Sequence, residues 1–132
     1  MARSPAGGRP PVDRRRLDLG ARGEDIAADW YTSRGYRVLG RNWRCREGEL
    51  DLVVTRERCV VFCEVKTRTG TGFGIPAEAV TGEKQRRLRR LATRWLGERS
   101  PSGGFSEVRF DVACVILRAG AAPALEVIEA AF

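Results

Sequence analysis

Gly48-Glu49-Leu50-Asp51-Leu52-Val53-Val54 and, shortly after it, Val60-Val61-Phe62-Cys63-Glu64-Val65-Lys66 decide the fold. Both runs are rich in Val, Leu and Phe and read as β-strands, with Thr55-Arg56-Glu57-Arg58 as the hairpin between them. Each carries acid where a buried strand should be apolar. Side chains alternate faces along a strand. Asp51 is therefore expected beside Glu49 and Val53, with Leu50, Leu52 and Val54 opposite. Glu64 and Lys66 are expected to share a face with Val60 and Phe62. Pairing the two runs brings two carboxylates and one ammonium to a single patch beside an apolar core.

That grouping suits a hard divalent cation. Mg²⁺ is usually held by one or two carboxylates, several waters and substrate phosphate. So held, it stabilises charge on a phosphate and lowers the pKa of a bound water. A neighbouring lysine can hold the water or act as a point charge toward the transition state. The competing interpretation is a solvated strand pair with a surface Glu–Lys contact, because Glu-x-Lys is a common tripeptide. The upstream aspartate and the apolar flanks favour a site.

The totals narrow the chemistry. A chain of 132 residues makes one domain with room for a core. No apolar run approaches the roughly 20 residues of a membrane span, and the arginine-rich N-terminus lacks the apolar stretch of a secretory signal. A cytoplasmic location is expected by default. There is no histidine, which excludes Ser-His-Asp and Cys-His machinery and histidine-based nucleases. Cys45, Cys59, Cys63 and Cys114 contain no C-x-x-C pair and read as reduced thiols, three of them in strand-like runs. Lys plus Arg is 24 against 17 for Asp plus Glu, a balance of +7. It favours polyanionic partners, nucleic acid above all. Residues 1–16 hold five arginines against Asp13 alone, so only +3 belongs to the rest.

In chain order, residues 1–16 read as a disordered basic tail and 17–132 as the folded domain. A helix is expected from the N-cap Asp18, with Leu19, Gly23, Ile26, Ala27 and Trp30 on its apolar stripe and Gly35 as its stop. Glu24 lies at the margin of that stripe, where a solvated role is the ordinary one. Tyr36–Trp43 reads as a strand leading into the acidic hairpin, and residues 67–75 as a glycine-bearing loop. Thr81 caps a second helix through Leu96, with Leu88, Leu91, Ala92, Trp95 and Leu96 inward. Its other face carries Lys84, Arg86, Arg87, Arg89, Arg90 and Arg94, either a phosphate-contacting surface or a solvated one. Val108–Leu117 and Leu125–Ile128 complete the strands, with Arg109 and Asp111 expected to pair. The order helix, strand, strand, strand, helix, strand, strand implies an α/β domain: a central mixed β-sheet flanked by α-helices.

The phrases Gly20-Ala21-Arg22-Gly23-Glu24, Gly35-Tyr36 and Arg41-Asn42-Trp43-Arg44 resemble the YraN-like family of bacterial proteins, as does Gly48 to Val53. So do Val61-Phe62-Cys63-Glu64-Val65-Lys66-Thr67-Arg68, Ala79-Val80-Thr81 with Lys84-Gln85-Arg86, and Arg109-Phe110-Asp111-Val112. The family looks like a branch of the PD-(D/E)xK nucleases, with a restriction-endonuclease-like fold similar in layout to archaeal Holliday-junction resolvases. The resemblance implies Asp51 and Glu64 as metal carboxylates, the Val65 carbonyl as a further ligand and Lys66 as the catalytic lysine. It adds Glu24 as an extra helix glutamate and Gln85 as a residue near the site. Leu50 stands where the superfamily's name has proline, which the chemistry does not need. The expectation is a Mg²⁺- or Mn²⁺-dependent nuclease on DNA, with branched or structured DNA a candidate substrate. Lys84, Arg86, Arg87 and Arg90 would contact phosphates. The alternative is a nucleic-acid-binding protein that keeps the fold without cutting. DNA is the expected partner, no membrane is expected, and a homodimer is an assembly the sequence leaves open.

Overall fold

The computed structural model describes residues 14–70, 80–99 and 104–132. Helix α1 (Arg14–Ser33) leads into strands β1 (Arg37–Cys45), β2 (Gly48–Arg56) and β3 (Cys59–Thr69). Helix α2 (Gly82–Gly97) then precedes β4 (Glu107–Leu117) and β5 (Ala124–Ile128). The five strands form one sheet in the order β1-β2-β3-β4-β5. All neighbours are antiparallel except β3 and β4, which run parallel over their full length. A parallel pair needs a crossover, and α2 supplies it. The result is an α/β domain with a mixed sheet between two helices, an arrangement compatible with the restriction-endonuclease-like fold.

The central strands are apolar on both sides because each side meets a helix. Ala27, Ala28 and Tyr31 of α1 pack on Leu52, Val54, Val61, Cys63 and Ala113. Leu88, Leu91, Ala92 and Trp95 of α2 pack on Leu50, Val53, Val60, Phe62 and Phe110. Thr81 caps α2 as its sequence implied, accepting from the Lys84 amide at 3.2 Å. Gly35, at φ +88°, ends α1: its amide donates to Thr32 and that of Tyr36 to Tyr31, the paired bonds of a Schellman stop. Gly23 has a different purpose. A Cβ there would collide with the Thr67 side chain, so glycine sets how closely α1 lies on β3.

Several expectations need correction. Helix α1 starts at Arg14, not Asp18, so Arg14–Arg16 belong to the helix rather than to a tail. Arginine is a good helix former and no Pro or Gly interrupts this run. The rest of the expected tail lies outside the described residues. Strand β3 continues through Thr69, paired with Leu117 of β4, where a loop was expected from Thr67. Its continuation at 71–79, with Gly72 and Gly74, also lies outside the described residues. The β2–β3 turn is only Glu57-Arg58, both at positive φ, and Arg56 pairs with Cys59. Finally, Leu50 and Leu52 do not share a face: Leu52 packs toward α1 and Leu50 toward α2. Across the sheet the same reversal separates Arg41, which reaches Asp25 of α1 at 2.8 Å, from Trp43, which packs with the α2 cluster. Both strands turn over at the pair between, Asn42 and Asp51.

Asp111 pairs with Arg109 as expected, and more is gathered there. The carboxylate is 1% exposed. It receives two bonds from the Arg109 guanidinium at 2.9 Å, one from the Tyr31 hydroxyl at 2.6 Å and one from the Ala130 amide at 3.0 Å. Arg109 also donates to the Tyr36 hydroxyl at 3.0 Å. This network ties α1, β4 and the C-terminal turn together. Replacing Asp111 by Ala leaves a half-buried guanidinium, a buried hydroxyl and an amide without this acceptor. The expected loss is about 3–5 kcal/mol in denaturant unfolding; a loss within experimental error would show that the network does not hold the fold.

Candidate active site

Strands β2 and β3 are paired from Arg56↔Cys59 as far as Leu52↔Cys63 and then part. The next amide available on β3, that of Val65, donates to the Asp51 Oδ2 at 2.9 Å. A side-chain carboxylate thus takes the place of a strand carbonyl at the fork. Residue Asp51 also falls opposite Asn42 in the β1 register, between Arg41↔Leu52 and Trp43↔Leu50. It lines a cavity of about 700 Å³ with Asp18, Glu24, Asn42, Arg44 and Glu49.

On the other strand of the fork Glu64 is nearly buried, its side chain 10% exposed. Lys84 of α2 lies 2.8 Å from its Oε2 and Lys66 lies 3.5 Å from the same oxygen. Lys84, expected on a phosphate-contacting surface, stands beside Lys66 as a second cation at Glu64. The N-cap of α2 explains this, because it directs the first helical turn at the end of β3. The Gln85 side-chain amide donates to the Val80 carbonyl at 3.3 Å. Glu24 is not a solvated helix glutamate: its side chain is 14% exposed, 3.9 Å from Arg41, and lines the cavity with Asp51. It also borders a smaller cavity of about 250 Å³ with Val65 and Thr67.

The charges divide unevenly. Glu64 has two ammonium partners, whereas among the described residues no cation pairs with Asp51. Burial, then the Glu64 carboxylate, push the Asp51 pKa up to about 7 against the pull of the Val65 amide. Burial also raises Glu24, with Asn42 and Arg41 opposing. The adjacent Lys84, then burial, lower the pKa of Lys66, with Glu64 opposing. For Lys84, burial works against the charge, but the contacts with Glu64 and Lys66 together outweigh it and leave the pKa raised.

A half-buried carboxylate without a paired cation among the described residues, next to a second one, fits a cation that would supply the missing charge. Among the described residues no three His, Cys, Asp or Glu side chains form a ready-made ligand group. Mg²⁺ does not require one, since it commonly uses one or two carboxylates and completes its shell with water and phosphate. Asp51, Glu64 and the Val65 carbonyl are the oxygen donors present at the fork.

The class is thereby defined: an α/β domain whose central sheet splits over a cluster of carboxylates and lysines. The chain belongs to the uncharacterised protein family UPF0102, whose profile matches residues 23–115. It is 50% identical over 116 residues to a UPF0102 protein of Rhodococcus opacus (strain B4), covering 88% of this chain and 97% of the relative. A UPF0102 protein of Frankia casuarinae is 58% identical over 97 residues, 74% and 80% of the two chains. One of Mycobacterium bovis is 54% identical over 99 residues, 74% and 76% of the two chains. The matched segment contains Glu24, Asp51, Glu64, Lys66 and Lys84.

Sequence reasoning missed Asn42 and the placement of Lys84. The left-handed backbone of Asn42 and its position opposite Asp51 depend on the pairing of β1 with β2, which periodicity does not give. Lys84 was legible as a cation three residues after a cap, but its partner could not be read from helix periodicity.

The raised Asp51 pKa has a definite consequence for stability. The folded chain holds this proton more tightly than the unfolded chain, whose aspartate titrates near its ordinary value of 3.8. Stability from this group is therefore present at low pH and lost as pH rises from about 4 to about 7. The loss is on the order of 2–4 kcal/mol. Without metal, Asp51→Asn is expected to match the wild type near pH 4 and to exceed it at pH 8 in denaturant unfolding. A variant several kcal/mol less stable at pH 8 would instead make Asp51 half of a structural ion pair.

Proposed function

We propose that this protein is a Mg²⁺- or Mn²⁺-dependent nuclease that hydrolyses DNA phosphodiester bonds. The observation that carries the proposal is the meeting of Asp51, Glu64 and Lys66 where β2 and β3 part. Their arrangement is the one the nuclease resemblance implies. Asp51 and Glu64, with the Val65 carbonyl, would hold the ion. When bound, the ion supplies Lewis-acid stabilisation of phosphate charge and lowers the pKa of water. Lys66 stands over Glu64 as a point charge for an incoming phosphate oxygen or water. Lys84 keeps the Glu64 carboxylate oriented. The Val65 amide fixes the rotamer of Asp51. Glu24 lines the water-accessible cavity beside Asp51, able to accept a proton or bind a water there.

The substrate surface follows from which arginines remain unengaged. Arg89 lies over the Phe110 and Phe132 rings, and Arg94 is near Glu47 and Glu98. Arg86, Arg87 and Arg90 are exposed and have no carboxylate partner among the described residues. Arg87 also neighbours Gly48 at the start of β2, so the basic face borders the β1–β2 hairpin with Arg44 and Arg46. Phosphate neutralisation there would orient a backbone toward the fork. Branched or structured DNA is a candidate substrate; among the described residues no helix is long and apolar enough to cross a membrane.

One observation favours a second reading. The Lys84–Glu64 pair at 2.8 Å neutralises that carboxylate without a metal, which suits a protein that binds nucleic acid without cutting it. Titrating Mg²⁺ or Mn²⁺ against linear, flapped and four-way DNA separates the two. Metal-dependent cutting is expected, reduced about 100-fold or more by Asp51→Asn, Glu64→Gln or Lys66→Ala. Wild-type-level cutting by Glu64→Gln would remove that residue from the site. DNA binding with no cutting at any metal concentration would establish the second reading.

Affinity should fall with salt, because neutralised phosphates release counterions. Replacing Arg86, Arg87 and Arg90 together by Ala is expected to reduce the log–log salt slope by about 2 to 3. An unchanged slope in filter-binding or anisotropy titrations would leave this helix face merely solvated.

A further inference from the structure

Glu64 has more positive charge beside it than one carboxylate needs. Its Oε2 lies 2.8 Å from the Lys84 ammonium and 3.5 Å from that of Lys66. Among the described residues neither lysine pairs with any other carboxylate. At that oxygen one negative charge therefore faces two positive ones. Keeping Glu64 in place accounts for one of them.

The two lysines are mounted differently. Lys66 stands two residues beyond Glu64 on the same strand, β3. Lys84 comes from the first turn of α2, its amide tied to the Thr81 cap at 3.2 Å. From that anchor a flexible four-carbon stem carries the ammonium to Glu64, with 21% of the side chain open to solvent. One turn further along the helix is Arg87, exposed and beside Gly48 of the β1–β2 hairpin. Lys84 is thus a partner of the enclosed carboxylate and also the least exposed cation of the basic face.

We infer that Lys84 is a phosphate ligand of the substrate, held on Glu64 and released to the DNA backbone when that carboxylate is neutralised. In the nuclease reading, on which this role rests, the neutralising group is the divalent ion. An ammonium and a divalent ion repel each other at one carboxylate oxygen, and an arriving phosphodiester offers the ammonium a new anion. Of the two lysines, Lys84 is the one continuous with the basic face.

Glu64→Gln reproduces the neutralisation without an ion, so DNA binding in chelator isolates the exchange. Anisotropy titrations over a range of salt count the phosphates neutralised, at about 0.9 in log–log slope for each. Glu64→Gln is expected to steepen the slope by about 1. Adding Lys84→Met should remove that increment, whereas adding Lys84→Arg should keep most of it. With Glu64 intact, Lys84→Met should change the slope much less. Equal changes in the two backgrounds overturn the inference, as does a slope that Glu64→Gln leaves unaltered. Lys84→Gln takes the place of Lys84→Met should the latter not fold. Calorimetry with Mn²⁺ supplies the second readout. Lys84→Met is expected to bind Mn²⁺ about tenfold more tightly than wild type, since a competing ammonium is gone. Equal or weaker binding makes Lys84 a fixed support for Glu64 and overturns the inference. Failure of wild type and variant alike to bind Mn²⁺ overturns the nuclease reading and leaves the salt slopes to decide on Lys84.

Discussion

The bond from the Val65 amide to the Asp51 carboxylate is the contact on which the site depends. A sheet normally satisfies its amides with carbonyls of the next strand. Here β2 and β3 separate after Leu52↔Cys63, and a side chain completes the bond instead. The separation opens the sheet at the point where α2 approaches from one face and α1 from the other. Without it, Asp51 and Glu64 would sit in a closed ladder between two apolar layers, where neither could meet a ligand.

The two carboxylates are left in different states. Glu64 is held by Lys84 and Lys66 at 2.8 and 3.5 Å, so its charge is matched. Asp51 is half-enclosed with one amide and three carboxylate neighbours, Glu64, Glu24 and Glu49, and its pKa rises to about 7. A buried charge that is not matched costs stability. The domain tolerates the cost because its remaining buried charge is well satisfied: Asp111 has four donated bonds on the α1 side of the sheet. One acidic centre holds the fold, and the other is left without a paired cation among the described residues.

The reversal of strand faces at Asn42 and Asp51 joins these features. It lets the far end of the β1–β2 hairpin pack Leu50 and Trp43 on α2, while its near end packs Leu52 and Val54 on α1. A strand pair clamped between both helices places its crossover point at the margin of the α1 cavity. The geometry of the fold and the position of the candidate site are thus one construction.

Much of this was legible in the chain. Apolar runs with period two marked β2, β3 and β4, the Thr81 cap and 3.6-residue stripe marked α2, and Gly35 marked the end of α1, because these signals are local. The acids at 51 and 64 stood out because they interrupt otherwise apolar strands, and the Arg109–Asp111 pair lies within one strand. Alternation failed at Leu50 because it assumes an unbroken strand, and a left-handed residue on the neighbouring strand broke it. Lys84 could be recognised as a cation but not assigned to Glu64, since a helix periodicity says nothing of what its first turn faces. The burial of Glu24 and the turning over of β1 at Asn42 were likewise decided only by tertiary structure. Each depends on the register of β1 against β2 and on the close approach of α1 that Gly23 allows. Local sequence determined the elements and the acids they carry; which charges meet was set by the packing of strands and helices distant in the chain.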